Sequence, residues 1–267
     1  MTLDRRALLS VGVLGIAAAT TGLAGCRSGG FSPDPDPVQC VPRSALASAD
    51  EIDGTPLLYE EDGRHQSFAF NQTFLEQVAN WQRAWRQDSD LTDHDQLWTF
   101  GTWIDGGSQC DSRHNEGRAI DITRLRADGA PVVSCRYDLW SRLSPDEITW
   151  HTRRYWSLAA SLHAHFAYVL THLYDNLHAN HIHVDNARSP DGVVTFETGS
   201  RVQCQALQAI CTHLWDTPVE STGTWDRATR RASAAVVERL DGSGDAARSD
   251  NWSLIMKAST GRAAALD

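Results

Sequence analysis

The chain has 267 residues, of which 41% are hydrophobic and 22% charged, values that are ordinary for a globular protein. This length is enough for one mid-sized domain and a smaller one once a leader is removed. The formal net charge is -10, and the sequence contains no run of lysine and arginine. Because such a surface repels phosphate backbones, we do not expect nucleic acid as a partner. Ten tryptophans favour aromatic-rich packing, with a groove for an extended ligand as the alternative.

The first 25 residues have the pattern of an export signal. A short charged region, Asp4-Arg5-Arg6, precedes an apolar stretch that runs from Ala7 to about Ala19. This stretch is too short to span a bilayer and ends in small residues, which is typical of a cleaved signal peptide. The two adjacent arginines are also similar to the start of a twin-arginine signal, so both export routes remain open.

The string Leu23-Ala24-Gly25-Cys26 resembles the lipobox of bacterial lipoproteins. The resemblance implies that Cys26 is the first residue of the mature protein and carries lipid, with a plain cleaved signal as the alternative. Residues 26–42 contain Ser-Pro-Asp-Pro-Asp-Pro, which predicts an extended tether. We therefore expect an exported protein, anchored in the lipid bilayer on the extracytoplasmic face of the cytoplasmic membrane.

A helix and a strand are the next predicted elements. Within residues 71–86, apolar side chains recur at spacings of four, three and four, which predicts an amphipathic helix. Residues 97–104 have the composition of a buried strand, which the Gly106-Gly107 pair ends.

The first candidate site residues lie within residues 112–121. His114 and Asp121 are seven positions apart, a separation of roughly 23 Å in a straight strand. Residues 115–117, Asn-Glu-Gly, have turn chemistry, so the chain can bring both side chains to one metal. The strand then restarts, with the carboxylate facing a cleft and the two neighbouring isoleucines facing the core.

Apolar residues at helical spacing over residues 153–173 predict a second long helix. His163 and His165 lie on it, and side chains two positions apart on a helix point in different directions. We therefore interpret both histidines as surface or packing residues. Short strands are predicted at residues 118–123, 181–185 and 193–197.

A second group of candidate site residues spans residues 178–185 and reads His-Ala-Asn-His-Ile-His-Val-Asp. On a strand, His181, His183 and Asp185 project to one face, with the two histidines roughly 6.6 Å apart. One histidine can therefore bind a metal while the other reaches a water or a substrate oxygen.

Five cysteines remain if Cys26 is acylated, and outside the cytoplasm they can form disulfides. None has a C-x-x-C spacing, which argues against a cysteine zinc site. Cys110 and Cys135 are the preferred pair, because both flank the first motif. On one continuous helix, Cys204 and Cys211 would be about 10.5 Å apart, beyond the limit of ~7 Å for a disulfide. Either Cys204 precedes the helix or these two do not pair.

A change of composition predicts a domain boundary between Gly192 and Gly199. After it the pattern is a helix, a Gly-x-Trp turn, a second helix, a polar loop and a short last helix. We therefore divide the exported chain into a domain of residues 43–196 and a helical domain of residues 197–267.

Together the two motifs resemble a known zinc superfamily. Ser-x-His-x-x-Gly-x-Ala-x-Asp followed by His-x-His is similar to the D-alanyl-D-alanine peptidase and lysostaphin-type peptidases, and most similar to their extensin-like C-terminal domain branch. The matching residues are Ser112, His114, Gly117, Ala119, Asp121, His181 and His183. Over residues 68–194 the resemblance implies an α+β domain of the hedgehog and D-Ala-D-Ala peptidase type, with a small antiparallel sheet and flanking helices. It also implies zinc held by His114, Asp121 and His183, and hydrolysis of peptidoglycan peptides.

Two histidines and one carboxylate leave the fourth zinc position open, which is the catalytic arrangement. A base must then take a proton from water. Several branches of the superfamily have a Glu or Asp three residues before the last ligand, where this chain has Asn180, which cannot accept that proton. Lysostaphin-type members use the first histidine of His-x-His, so the resemblance implies His181 as the base. Asp185 is a candidate to orient a ligand histidine, with a plain strand-end carboxylate as the alternative.

Residues 201–261 resemble a small three-helix peptidoglycan-binding module, with Trp225 in an inter-helix turn. The alternative is a helical cap packed on the first domain. The leading hypothesis from sequence is thus a zinc-dependent hydrolase of peptidoglycan peptides. The alternative is a non-catalytic, zinc-containing lipoprotein that binds the cell wall, for which Asn180 is the reason. A structural lipoprotein without metal would require both motifs to be coincidental.

Overall fold

The computed structural model describes residues 37–267. The predicted signal peptide, the lipidation site Cys26 and most of the predicted tether lie outside the described residues. Residues 37–267 form a mixed α/β structure with six α-helices, one sheet of two strands and one sheet of seven strands.

The strands are β1 (Ala47–Ala49), β2 (Glu51–Ile52), β3 (Thr55–Tyr59), β4 (Phe68–Phe70), β5 (Gln96–Gly101), β6 (Ala119–Ala127), β7 (Ala130–Ser134), β8 (Tyr168–Leu170) and β9 (Ile182–Asp185). β1 and β4 form the smaller sheet. The larger sheet has the order β2-β3-β5-β6-β9-β8, and β7 pairs with the second half of β6. Its pairs are antiparallel except for β3 with β5, which is parallel. The candidate site is on the central strands β6 and β9.

The helices are α1 (Gln72–Asp88), α2 (Tyr137–Trp140), α3 (Pro145–His165), α4 (Arg201–Trp215), α5 (Arg227–Arg239) and α6 (Asn251–Thr260). α1 matches the predicted amphipathic helix. The Asn71 side chain caps its first turn by accepting from the Phe74 amide. Its apolar face is fully buried through Phe74, Val78, Trp81 and Trp85.

Two sequence predictions differ from the structure. The second long helix begins at Pro145, because Ser144 and Glu147 form a capping box before it. It ends at His165, and the following apolar residues form β8, which pairs with β9. The strand predicted at residues 193–197 is absent. The Gln203 side chain instead bonds to backbone groups of this segment, at Thr195 and Glu197.

One hydrophobic core joins the sheet and the helices, including α4, α5 and α6. Helix α3 is the element on which the C-terminal helices pack. The Ser157 hydroxyl donates to the Thr260 carbonyl oxygen, and the Trp252 indole donates to the His163 carbonyl oxygen. His163 is buried, as expected for a packing residue. The C-terminal helices therefore cover one side of α3.

Candidate metal centre

The turn that carries His114 is fixed by local hydrogen bonds. Residues Arg113–Glu116 form a single 3-10 turn. The Ser112 hydroxyl accepts from the His114 amide, and the Asn115 side-chain oxygen accepts from the Ser112 amide. Gly117 ends the turn in the left-handed conformation, with φ of 63°. This is the turn that the sequence predicts between the two candidate ligands.

Asp121 and His183 face each other across paired strands. β6 and β9 are antiparallel, and these two residues are opposite one another in the register. Thr99 Oγ1 donates to the Asp121 carbonyl oxygen at 2.8 Å, which fixes β6 against β5 at this point. Ile120 and Ile122 are buried in the core. Since side chains alternate along a strand, the Asp121 carboxylate projects from the opposite face.

These elements bring three possible ligand atoms together. His114 Nε2 lies 3.2 Å from Asp121 Oδ1 and 3.1 Å from His183 Nδ1. His183 Nδ1 lies 3.0 Å from the same carboxylate oxygen. His114 is buried, and the other two residues are partly buried. The structure therefore gathers the three predicted ligands in one small cluster that could hold a metal ion.

In both His114 and His183, the ring nitrogen that points away from the cluster has its own hydrogen-bond acceptor. His114 Nδ1 lies 3.2 Å from the Thr102 carbonyl oxygen, and His183 Nε2 lies 3.2 Å from Asp185 Oδ2. A carbonyl or carboxylate oxygen can only accept, so these outer nitrogens are the ones that donate. In its neutral form each imidazole then directs a lone pair into the cluster. Asp185 thus fixes the orientation of His183, as carboxylates commonly do beside histidines that bind metals.

This donor set fits a small divalent cation. Two lone-pair nitrogens and a carboxylate oxygen in mutual contact repel one another unless a positive charge lies between them. Zinc bonds of about 2.0 Å in a tetrahedral site place neighbouring ligand atoms about 3.3 Å apart. The three separations of 3.0, 3.1 and 3.2 Å are close to that value. The cluster therefore needs little rearrangement to bind such an ion.

Without a metal, a proton supplies the positive charge. Burial disfavours the charged form of His183, but hydrogen bonds to Asp121 and Asp185 outweigh it and raise the pKa of His183 to about 10. Burial acts against ionisation of Asp121 as well, yet the contacts with the His114 and His183 imidazoles hold its pKa well below the usual value. The metal-free cluster is therefore an ion pair at neutral pH.

His181 lies beside the cluster and differs from it electrostatically. Its Nε2 is 3.4 Å from Asp121 Oδ1, and its Nδ1 donates to Asn180 Oδ1 at 2.7 Å. The edge of the Phe100 ring faces it, with ring centroids 6.1 Å apart. Burial lowers the pKa of His181 to about 4, against the opposing charge of Asp121. His181 is therefore neutral at pH 7, with its Nε2 lone pair toward the cluster.

His178 also lies at the site, although its position in the sequence did not predict a role for it. The His178 ring lies 5.2 Å from the His181 ring and 6.1 Å from the His183 ring, between centroids. Its Nδ1 donates to Asp175 Oδ1 at 2.6 Å. His178 stands in the same histidine-rich motif, but a short 3-10 turn at Asn176–His178 gives it its direction. No strand or helix periodicity could have indicated that.

The disulfide differs from the predicted one. Cys110 bonds to Cys40, with Cα atoms 5.4 Å apart, so the expected pair of Cys110 with Cys135 does not form. Cys135 is buried and free. Cys204 and Cys211 both lie on α4 and are also free, which agrees with the alternative that they do not pair. The disulfide ties the segment that contains Cys40 to the loop that leads into His114.

Comparison of the chain with protein-family models, with curated proteins and with solved structures finds no match. Within residues 37–267, no helix has the length and apolarity needed to cross a membrane.

Proposed function

We propose that this protein is a zinc-dependent hydrolase of peptide bonds in bacterial peptidoglycan. The cluster of His114, Asp121 and His183 supports the metal part of this proposal, since two imidazoles and a carboxylate are a common zinc set with one open position. The substrate class rests on the resemblance of the two sequence motifs to the zinc peptidase superfamily. The observation that carries the hydrolytic assignment is the position of His181, whose Nε2 lies 3.4 Å from Asp121 Oδ1, beside the three ligand atoms.

In this mechanism three residues hold the ion and a fourth moves the proton. Bound zinc supplies Lewis acidity, which polarises a carbonyl group and makes water a stronger acid. His181 Nε2 takes the proton of the attacking water, because its Nδ1 is already protonated and donates to Asn180. The imidazolium that results faces the Asp121 carboxylate and can pass its proton to the leaving amine.

The second candidate function is a non-catalytic, zinc-containing protein that binds the cell wall. The observation that favours it is Asn180, an amide at the position where several branches of the superfamily carry an acidic base. In this chain the Asn180 side chain is engaged with His181, so it orients a base and does not replace one.

Digestion of purified wall peptides separates the two functions. We expect new peptide masses with the zinc-loaded wild-type protein, and none with a chelator or with His181→Ala. His181→Ala should keep its zinc, because His181 is outside the three-ligand set. The matched control is His165→Ala, a partly buried histidine at the end of α3, which should retain activity. Unchanged masses with every wild-type sample, together with wall binding that survives His181→Ala, would favour the non-catalytic function.

We further propose that the protein is exported and anchored through an acylated Cys26. The described residues add one supporting observation, the Cys40–Cys110 disulfide, because disulfides persist mainly outside the cytoplasm. Cys26→Ser should move the protein from the membrane fraction to the soluble fraction. Unchanged membrane association of this variant would contradict the anchor.

A further inference from the structure

A groove of about 230 Å³ lies beside the metal cluster. Its lining combines one basic side chain with aromatic, polar and small residues, among them Arg43, Tyr59, Ser67, Phe100, Gly101 and Trp103. We refer to it as the Arg43 groove. The Trp103 indole donates to the Val41 carbonyl oxygen at 2.9 Å, which holds that ring in place at the groove wall.

Three consecutive residues that line the groove contact either the metal cluster or His181 beside it. Phe100 presents its ring to His181, with centroids 6.1 Å apart. Gly101 pairs with Asp121 across β5 and β6. The carbonyl oxygen of the next residue, which also lines the groove, accepts from His114 Nδ1. A molecule in the groove would therefore lie next to the residues that are proposed to perform the reaction.

Gly101 leaves the boundary between groove and cluster open. A Cβ atom at this position would meet no other atom within 4 Å, so the space beside the backbone is free. Its φ of 141° is one that residues with side chains rarely adopt. At the point where β5 pairs with Asp121, no side chain therefore stands between the groove lining and the solvent beside it.

The charge at the groove indicates what that ligand carries. Arg43 is exposed, and no residue among 37–267 forms an ion pair or a side-chain hydrogen bond with its guanidinium. In contrast, Arg124 and Arg136 are both paired with Glu60, and the Arg136 guanidinium lies over the ring of the groove residue Phe100. On a chain with net charge -10, an unpaired guanidinium in a groove favours an anionic ligand. Guanidinium matches a carboxylate in both shape and charge.

We propose that the Arg43 groove binds a carboxylate of the peptide substrate, and that Arg43 is the residue that recognises it. This inference rests on the proposed function for the peptide nature of the ligand. It assigns the enzyme a preference for peptides with a free carboxylate near the cleaved bond. Tyr59 and Trp103 provide apolar surface for the peptide side chains next to that carboxylate.

Direct binding of peptides tests the proposal. The probe is a wall tetrapeptide with a free terminal carboxylate and one free side-chain carboxylate. It is compared with the same peptide amidated at the terminus, at the side chain or at both. Binding is measured by calorimetry on the zinc-loaded full chain carrying His181→Ala, so that turnover does not interfere. We expect Arg43→Ala to weaken binding of the free peptide by about tenfold, the effect of losing one charge-assisted hydrogen bond. The doubly amidated peptide should bind both forms equally.

The two singly amidated peptides identify which carboxylate is recognised, because only loss of that one should remove the effect of Arg43→Ala. Arg231→Ala, an exposed arginine on α5, is the matched control and should leave affinity unchanged. Equal affinity of Arg43→Ala and its parent for the free peptide would overturn the proposal. The proposal would also be overturned if Arg43→Ala weakened the binding of all four peptides equally, or if the parent protein bound none of them. If the wild-type protein hydrolyses the peptide but Arg43→Ala does not change peptide affinity, only the role of the groove is rejected. If Arg43→Ala weakens binding as expected but the wild-type protein hydrolyses no peptide, only the proposed function is rejected.

Discussion

At the scale of single residues, the proton on His183 connects pH to metal binding. Hydrogen bonds to Asp121 and Asp185 raise the pKa of His183 from its ordinary value of 6.5 to about 10. The histidine is therefore protonated in the metal-free protein at neutral pH. Its charge stabilises the metal-free fold fully below pH 6.5, and this stabilisation is lost as the pH rises through about 10.

Zinc must displace that proton in order to bind His183 Nδ1. We therefore expect zinc affinity to rise about tenfold for each pH unit between pH 6.5 and 8.5, with about one proton released per ion. Competition with a chromophoric chelator at several pH values measures the first quantity, and calorimetry in buffers of different ionisation enthalpy measures the second. Affinity that does not change over this range would mean that His183 is neutral in the free protein.

The sequence predicts the residues that form the metal cluster and His181 better than it predicts the groups that surround them. His114, Asp121, His181 and His183 stand in motifs whose spacing and strand alternation are local signals. The orienting acceptor on the other side of His114 is a backbone carbonyl, that of Thr102, which no side-chain pattern identifies. The direction of His178 likewise depends on a short turn, and so required the structure.

At the scale of elements, Gly117 is the position where the first motif is most constrained. Its φ of 63° favours glycine, and a Cβ atom there would lie 2.9 Å from the Asn71 amide nitrogen and 2.9 Å from Leu46 Cδ1. Gly129 has a similar φ of 77°, but a Cβ atom there would meet nothing within 4 Å. Comparing alanine substitutions at these two glycines therefore distinguishes the cost of backbone strain from the cost of steric overlap.

We expect Gly117→Ala to destabilise the protein clearly more than Gly129→Ala does. The control should cost about 1 kcal/mol through backbone strain alone, and the overlap at position 117 should add about 1–3 kcal/mol. Chemical denaturation of both variants gives these values. Because the strained turn also carries His114, Gly117→Ala should weaken zinc binding, whereas Gly129→Ala should not. Equal stability of the two variants would show that the close contacts at Gly117 relax without cost.

Elements with a local signal are the ones that the sequence predicts. The 3.6-residue periodicity of α1 and the alternation in β6 and β9 are visible without knowledge of the fold. The sequence pattern places the residues of β8 in the preceding helix, because they continue its apolar spacing. Only their pairing with β9 makes them a strand. The Cys40–Cys110 disulfide joins residues 70 positions apart. Its formation depends on tertiary structure, since Cys135 is much closer to Cys110 in sequence than Cys40 is.

At the scale of the whole molecule, the relation between the two predicted domains is decided by packing on α3. Trp252 is buried, donates to the His163 carbonyl oxygen and stacks on Phe196, with ring centroids 5.0 Å apart. The buried residues of α4, α5 and α6 belong to the same hydrophobic cluster as those of the sheet. A chain that ends at residue 199 would expose the α3 surface that these helices cover.

We therefore expect the chain truncated after residue 199 to lack a cooperative thermal transition. Within the full chain, Trp252→Ala should destabilise by about 3–5 kcal/mol, as for other buried tryptophans. Trp150→Ala is the control, because Trp150 is partly exposed and should cost far less. Circular dichroism during heating measures both effects. A truncated chain that unfolds cooperatively and binds zinc like the full chain would show that residues 43–196 fold without the C-terminal helices.

Metal content is the direct test of the proposal that His114, Asp121 and His183 form a zinc site. Elemental analysis is made on the purified wild-type protein, on Asp121→Ala and on the control Asp146→Ala, whose carboxylate is exposed in the first turn of α3. We expect about one zinc per chain in the wild type and in the control, and none in Asp121→Ala. A wild-type protein that is free of metal and takes up no added zinc would contradict this proposal.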